Sequence, residues 1–284
     1  MDVPQTLGLI AGNGQYPFIM ADGARRAGVS RVVAAAFHGE TLPELASEVE
    51  AIEWMRVGQL GKMIKFFKAQ SVTQAVMVGQ IAPKNLYQLI PDLRTLVMLG
   101  KLKRRNAETI FGAIGDELAR DGITLISAIS FLDHLLPSIG HVCGPTLRER
   151  DLADAHYGIE IARETSRLDI GQTVVVKKGT VLAVEAFEGT NDCILRGGQL
   201  GHGDATMAKV AKPRQDFRFD VPVIGAATIQ ACAQAGIRLI AVEAQRTLLL
   251  ELPAIRELCH QHKVSLYAVG AAGTVQEPLR GLNP

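Results

Sequence analysis

A short apolar run at residues 7–11 (LGLIA) breaks on Gly12-Asn13-Gly14 and is followed at once by a helical pattern over 17–27. This order constrains the fold more than any other feature of the chain. An all-apolar strand is buried on both faces, as in a parallel sheet, and a parallel sheet needs a crossover, usually a helix, to return the chain to the next strand. The pattern recurs: residues 31–37 (RVVAAAF), 51–55 and 74–78 (QAVMV) read as further buried strands. Between them, 60–70 sets Leu60, Met63, Ile64 and Phe67 at helical spacing. Residues 86–105, apolar and then basic (KLKRR), and 106–120 read as helices, and 122–128 as a strand. The first half is therefore expected to be a three-layer α/β domain with a mostly parallel sheet.

Strand, glycine turn and helix is also the arrangement that offers backbone N–H groups to a phosphate. Gly12, Asn13 and Gly14 are candidate binding residues on that ground, with a tight turn that binds nothing as the competing reading. The dinucleotide fingerprint fails here, because Pro17 stands where the third glycine belongs. Residues 58–62 (GQLGK) are too short for a nucleoside-triphosphate loop, and Met63 takes the place of the magnesium-binding hydroxyl. Gly79-Gln80, directly after a strand, is expected at the same carboxyl edge as Gly12 to Gly14, where open parallel sheets hold ligands.

Residues 137–145 carry prolines, two glycines and little periodicity, and read as a hinge. A helix over 147–166 follows, then a hairpin with strands at 173–176 and 180–186. Polar residues gather next: Glu185, Glu188, Thr190, Asn191 and Asp192 end a strand and open a helix. Thr190 is expected to cap that helix, with the acids at its positive end. Residues 197–204 (GGQLGHGD) read as a flexible loop, 207–210 as a strand, and 225–235, 238–242, 253–262 and 264–269 as helix, strand, helix and strand.

The most charged stretch is 209–228, KVAKPRQDFRFDVPVIGAAT. It sets Lys209, Lys212, Arg214 and Arg218 beside Asp216 and Asp220, ahead of a helix opening at Gly225. Cations neutralise oxyanions, and a carboxylate holds a metal or a water. A solvated loop leading into an ordinary helix is the alternative. Composition narrows the classes. The 284 residues are 48% apolar and carry a net charge of +1, so cores are ample and no field recruits nucleic acid. Four widely spaced cysteines form no metal or redox pair. The opening residues show no signal peptide and no run spans a bilayer, so a cytoplasmic protein is expected.

Several of these stretches combine into one pattern. LIAGNGQYP, VGQLGK and VGQIAP, then SRLDIGQTVVVKKGTVLAVEAFEGTND and KVAKPRQDFRFDVPVIGAATI, resemble the LpxI family, the UDP-2,3-diacylglucosamine pyrophosphatases of lipid A biosynthesis, over nearly the whole chain. Asn13 replaces one of a run of glycines usual in the family, and the GGQLGHGDAT loop is short. The resemblance implies a Rossmann-like N-terminal domain (1–136), a hinge (137–145) and a second α/β domain, catalytic, at the C-terminus (146–284). It implies hydrolysis of UDP-2,3-diacylglucosamine to UMP and 2,3-diacylglucosamine 1-phosphate, with water attacking the α-phosphorus and magnesium or another divalent cation as cofactor. Asp220 falls on the family's essential acid. Glu185 and Asp192 are candidates to join it at the metal. Gly12, Asn13, Gly14, Gly79, Gln80, Gln172, Glu188, Thr190, Lys209, Lys212, Gln215, Gly225 and Thr228 are candidates for the substrate, with the lysines screening phosphate and the amides of 225–227 as an anion cradle. Apolar residues near 86–99 and 223–229 suit acyl chains. Peripheral contact with the inner membrane and a homodimer are compatible with this reading. A non-catalytic lipid or nucleotide carrier using the same two-domain clamp is the alternative.

Overall fold

A computed structural model describes residues 3–81, 91–104, 107–212 and 216–270. The chain divides into two compact units, 1–133 with 216–220, and 134–215 with 221–284.

The first unit opens with β1 (Thr6–Ala11), α1 (Tyr16–Arg26), β2 (Arg31–Phe37), β3 (Ala51–Met55), α2 (Leu60–Ala69) and β4 (Gln74–Val78). It continues with α3 (Leu93–Lys101), α4 (Ala107–Arg120) and β5 (Thr124–Leu125). The five strands lie in the order β3-β2-β1-β4-β5, and every neighbouring pair is parallel. Ile10, Val33, Ala35, Phe37 and Met77 pack with Leu60, Met63, Ile64 and Phe67 of α2 on one face. The alternate residues Leu9, Val32, Ala34 and Val76 are equally buried on the other face, which is why these strands read as unbroken apolar runs. Strand order reverses at β1, whose neighbours are β2 and β4. The carboxyl ends of β1 and β4 therefore flank the switch point at which such sheets bind ligands.

Two expectations change here. The strand read over 122–128 pairs only at Thr124–Leu125. Ile126 N–H still donates to Ala75 O of β4 at 2.8 Å, and beyond it the Ala128 N–H donates to Phe217 O at 2.7 Å. The basic run does not extend a helix. α3 ends at Lys101, so Lys103 and Arg104 lie past it, while 82–90 and 105–106 fall outside the described residues. The start of α3 is fixed by Asp92, whose carboxylate accepts from Thr95 N at 2.9 Å and from Gly61 N of α2 at 2.6 Å. One acid serves the amino ends of two helices.

The second unit contains β6 (Gly140–Cys143), α5 (Glu149–Arg167), β7 (Thr173–Lys177), β8 (Thr180–Val184), α6 (Thr190–Gly201) and β9 (Ala205–Lys209). After these come β10 (Val223–Ile224), α7 (Ala226–Gln234), β11 (Ile237–Glu243), β12 (Leu248–Leu249), α8 (Leu252–His262) and β13 (Ser265–Val269). Its main sheet runs β6-β13-β11-β9-β7-β8, with β9, β11 and β13 parallel and the outer strands antiparallel. α5 covers one face through Ala155, Ile159 and Ala162. α6, α7 and α8 cover the other, through residues such as Ile194, Ile229 and Ile255.

Two segments differ from their sequence reading. The stretch read as a hinge holds β6, which covers what would otherwise be the exposed edge of β13. Four residues are too few to show alternation. The stretch read as a flexible loop is the last turns of α6, which runs to Gly201 and ends on His202 in a left-handed conformation (φ 51°). Its glycines are there for closeness. A Cβ at Gly197 would lie 2.4 Å from Val175, and one at Gly198 would lie 2.0 Å from Ala235 O.

Candidate active site

In the first unit, Gly12 and Gly79 meet backbone to backbone. Gly12 N–H donates to Val78 O at 2.8 Å, Asn13 N–H to Gln80 O at 2.7 Å and Gln80 N–H to Asn13 O at 3.2 Å. A Cβ on Gly12 would stand 2.7 Å from Gln80 O, and one on Gly79 would stand 2.7 Å from Asn13 O. The two turns expected at one sheet edge are thus clamped together. Gly14 (φ 90°) has open space where a side chain would be.

Residues 216–220, the central acidic stretch, are counted with this unit. Arg218 grips Asp216 through Nε and Nη2 at 2.9 and 2.6 Å, and the Phe219 and Asp220 N–H groups donate to Asp216 O at 3.1 and 3.0 Å. Phe219 packs on Phe111 with ring centroids 5.6 Å apart. Asp216 and Arg218 therefore build the turn that presents Asp220. The guanidinium of Arg218 holds the Asp216 carboxyl below the usual aspartate range. Gln215 and Arg214 lie outside the described residues.

In the second unit the candidates collect at the carboxyl edge of β9. Lys209 closes that strand opposite Thr173, the first residue of antiparallel β7. Glu185 follows β8, and its N–H donates to Thr173 O at 2.8 Å. Thr190 opens α6. It is not the cap: Gly189 (φ 88°) holds that position, which frees the threonine hydroxyl for other partners. The Thr190 hydroxyl donates to Glu185 Oε1 at 2.9 Å, and lies 3.4 Å from both Lys209 Nζ and Thr173 Oγ1. A carboxylate, a hydroxyl and an ammonium thus stand in series. Beside them, Glu185 Oε2 and Gln172 Oε1 are buried with no hydrogen-bond partner among the described residues. Unpaired buried acceptors are costly and call for a donor or a cation.

Glu188 is committed elsewhere. It accepts from Ala186 N at 3.1 Å and pairs with Arg196 at 2.5 Å, closing the loop before α6. Its own N–H and Arg196 hold its carboxyl below the usual glutamate range. Asp192 is exposed on the first turn of α6. Lys212 reaches Asp169 at 2.5 Å. Gly225 precedes α7 with no side-chain cap, and Thr228 N–H returns to Gly225 O at 3.0 Å.

Sequence reasoning missed the residues that hold this edge. Buried Glu243 ends β11, takes Arg163 at 2.9 Å and accepts from Ala211 N at 2.9 Å, fixing the backbone just beyond Lys209. An acid directly after the apolar run of residues 239–242 was the available signal.

Among the described residues, no three His, Cys, Asp or Glu side chains stand together as a cation site. Magnesium asks for fewer, because it takes one or two carboxylates with waters and phosphate oxygens. The unpartnered buried oxygen of Glu185 fits that requirement.

Known proteins resemble this chain along most of its length. Residues 6–135 match the family model described as the LpxI N-terminal domain, and 138–267 the one described as the LpxI C-terminal domain. The UDP-2,3-diacylglucosamine pyrophosphatase LpxI of Caulobacter vibrioides is 31% identical over 262 residues, covering 88% of this chain and 92% of that protein.

Proposed function

The chain belongs to the LpxI family, and from that premise we propose that it hydrolyses UDP-2,3-diacylglucosamine to UMP and 2,3-diacylglucosamine 1-phosphate. Water attacks the α-phosphorus, and the bond from that phosphorus to the bridging oxygen breaks.

The observation that carries the chemistry is the series Glu185, Thr190 and Lys209, with a buried carboxylate oxygen left over. Splitting a pyrophosphate requires neutralising charge on two phosphates and holding a water in line. Lys209 and Lys212 stabilise the leaving phosphate, and the amides at the start of α7 add dipoles of the right sign. Asp220 holds the water in line and accepts its proton. Glu185, with Asp192 as a further carboxylate of the same unit, would hold magnesium, which when bound supplies positive charge to the phosphate oxygens.

Purified protein given UDP-2,3-diacylglucosamine and magnesium should release UMP, and Asp220→Asn should cost at least roughly a hundredfold in turnover. Absence of UMP from wild type, with tight substrate binding, would instead support a carrier. Full activity in Asp220→Asn would remove that residue from the mechanism. In heavy-oxygen water the label should enter UMP; label in the lipid phosphate would place the attack at the other phosphorus.

A further inference from the structure

We propose that the outer face of α3, with the basic residues just beyond it, is a docking surface for an anionic lipid bilayer. This goes beyond the hydrolase reading and does not require it.

α3 is amphipathic in the wrong direction for a helix that only covers a core. Thr95 and Met98 are buried, and with Leu99 they line an apolar cavity of about 70 Å³ that Ile10, Met63 and Phe111 also line. On the opposite face Leu93, Leu96 and Val97 are 77%, 53% and 51% exposed. Their spacing of three and four residues makes a single stripe. Gly100 and Lys101 continue it toward the carboxyl end, and Lys103 and Arg104 follow just past the helix, both exposed.

These cations differ from their neighbours. Arg94 is tied to Glu117 at 2.9 Å and to Asp121 at 2.6 Å, and Lys68 to Asp121 at 2.9 Å. Lys101, Lys103 and Arg104 are all exposed, and among the described residues none of the three makes an ion pair. The fixings of α3, through the Asp92 cap and Arg94, all come from its inner side.

The chemistry of the patch favours lipid over protein. Protein interfaces bury about 800 Å² on each partner and centre on aromatic or arginine anchors. Here three aliphatic side chains form a narrow stripe with no aromatic among them. A second copy would bring like charges together. An anionic bilayer matches both parts at once: aliphatic side chains enter the acyl boundary while lysine and arginine meet the headgroup phosphates.

The 284-residue chain should be mixed at low salt with vesicles of phosphatidylglycerol and phosphatidylethanolamine, or of phosphatidylcholine alone, and sedimented. Binding is expected to the anionic vesicles only. The triple variant K101E/K103E/R104E should lose on the order of a hundredfold in partition, since each cation near an anionic surface contributes about fivefold. L96S/V97S should lose roughly tenfold. Both should keep the wild-type circular dichroism and melting temperature, because every altered side chain is exposed; if L96S/V97S misfolds, the charge variant decides. No binding of wild type to anionic vesicles overturns the proposal. So does binding unchanged in the variants, or a wild-type dimer that L96S/V97S converts to a monomer.

Discussion

Replacing Thr190 with valine keeps the side-chain shape and removes one hydroxyl. That hydroxyl donates to Glu185 Oε1 at 2.9 Å, while Glu185 Oε2 is already buried without a partner. The variant therefore strips the Thr190 donor from a carboxylate that can spare none. Hydrogen bonds to charged groups are worth about 1.5–3 kcal/mol, and the part-buried position of this pair argues for the lower end, about 1.5 kcal/mol. The same loss should vanish once the carboxylate is gone. Glu185→Leu on its own should cost little stability, because a carboxylate with an unpaired buried oxygen is itself a burden. Urea unfolding of wild type, both single variants and the double variant closes the cycle. The expected coupling is about 1.5 kcal/mol, with the Thr190→Val penalty near zero in the Glu185→Leu background. Equal Thr190→Val penalties in the two backgrounds, within about 0.5 kcal/mol, would refute the pairing. If Glu185 is kept for function, Glu185→Leu should lose UMP release while losing almost no stability.

Magnesium should raise the unfolding midpoint of wild type and leave Glu185→Leu unmoved, since a ligand stabilises only a state that binds it; equal shifts would exclude Glu185 as a ligand. Gly12→Ala should destabilise the first unit by roughly 1–3 kcal/mol or more, because its Cβ meets Gln80 O, a backbone atom that cannot swing aside. Calorimetric melting checks this, and an unchanged melting temperature would mean that the close approach of the two turns contributes nothing to stability. Asp216 has its carboxyl lowered in the folded chain by Arg218, so the pair stabilises above the unfolded aspartate value of about 3.9 and stops doing so as pH falls through the lower folded value. The stability gap between wild type and Asp216→Asn should be full near about pH 6 and close toward about pH 2; a gap independent of pH would mean that the ion pair contributes nothing.

The first unit was legible because its strands are buried on both faces, and a parallel sheet writes that condition directly as apolar runs. Residues 31–37 show it: all but Arg31 are fully or nearly buried. The meeting of Gly12 with Gly79 was legible for a related reason. Both follow strands that point the same way, so both must emerge at one edge. What failed to read was closeness between elements distant in sequence. Glycines at 197, 198 and 201 have the composition of a loop, yet each sits where α6 presses on another element. Nothing local distinguishes a glycine chosen for freedom from one chosen for contact.

The polar edge of the second unit was half legible, and the missing half is instructive. Glu185, Thr190 and Lys209 could each be named from type and position, but helix capping is the commonest use of a threonine at such a place. Only Gly189, with φ 88°, shows that the cap position is taken and the hydroxyl released. Asp216 and Arg218 stayed without a role because a salt bridge two residues long looks like any charge run until its backbone is seen. In the fold they close a turn on Asp220, while Glu243 does the same for the backbone beyond Lys209. In both places an acid that touches no candidate substrate group fixes the main chain beside one that does. Alterations at Asp216 or Glu243 should therefore lower turnover through loss of position, and the conservative variants Asp216→Glu and Glu243→Gln should recover part of it where alanine does not.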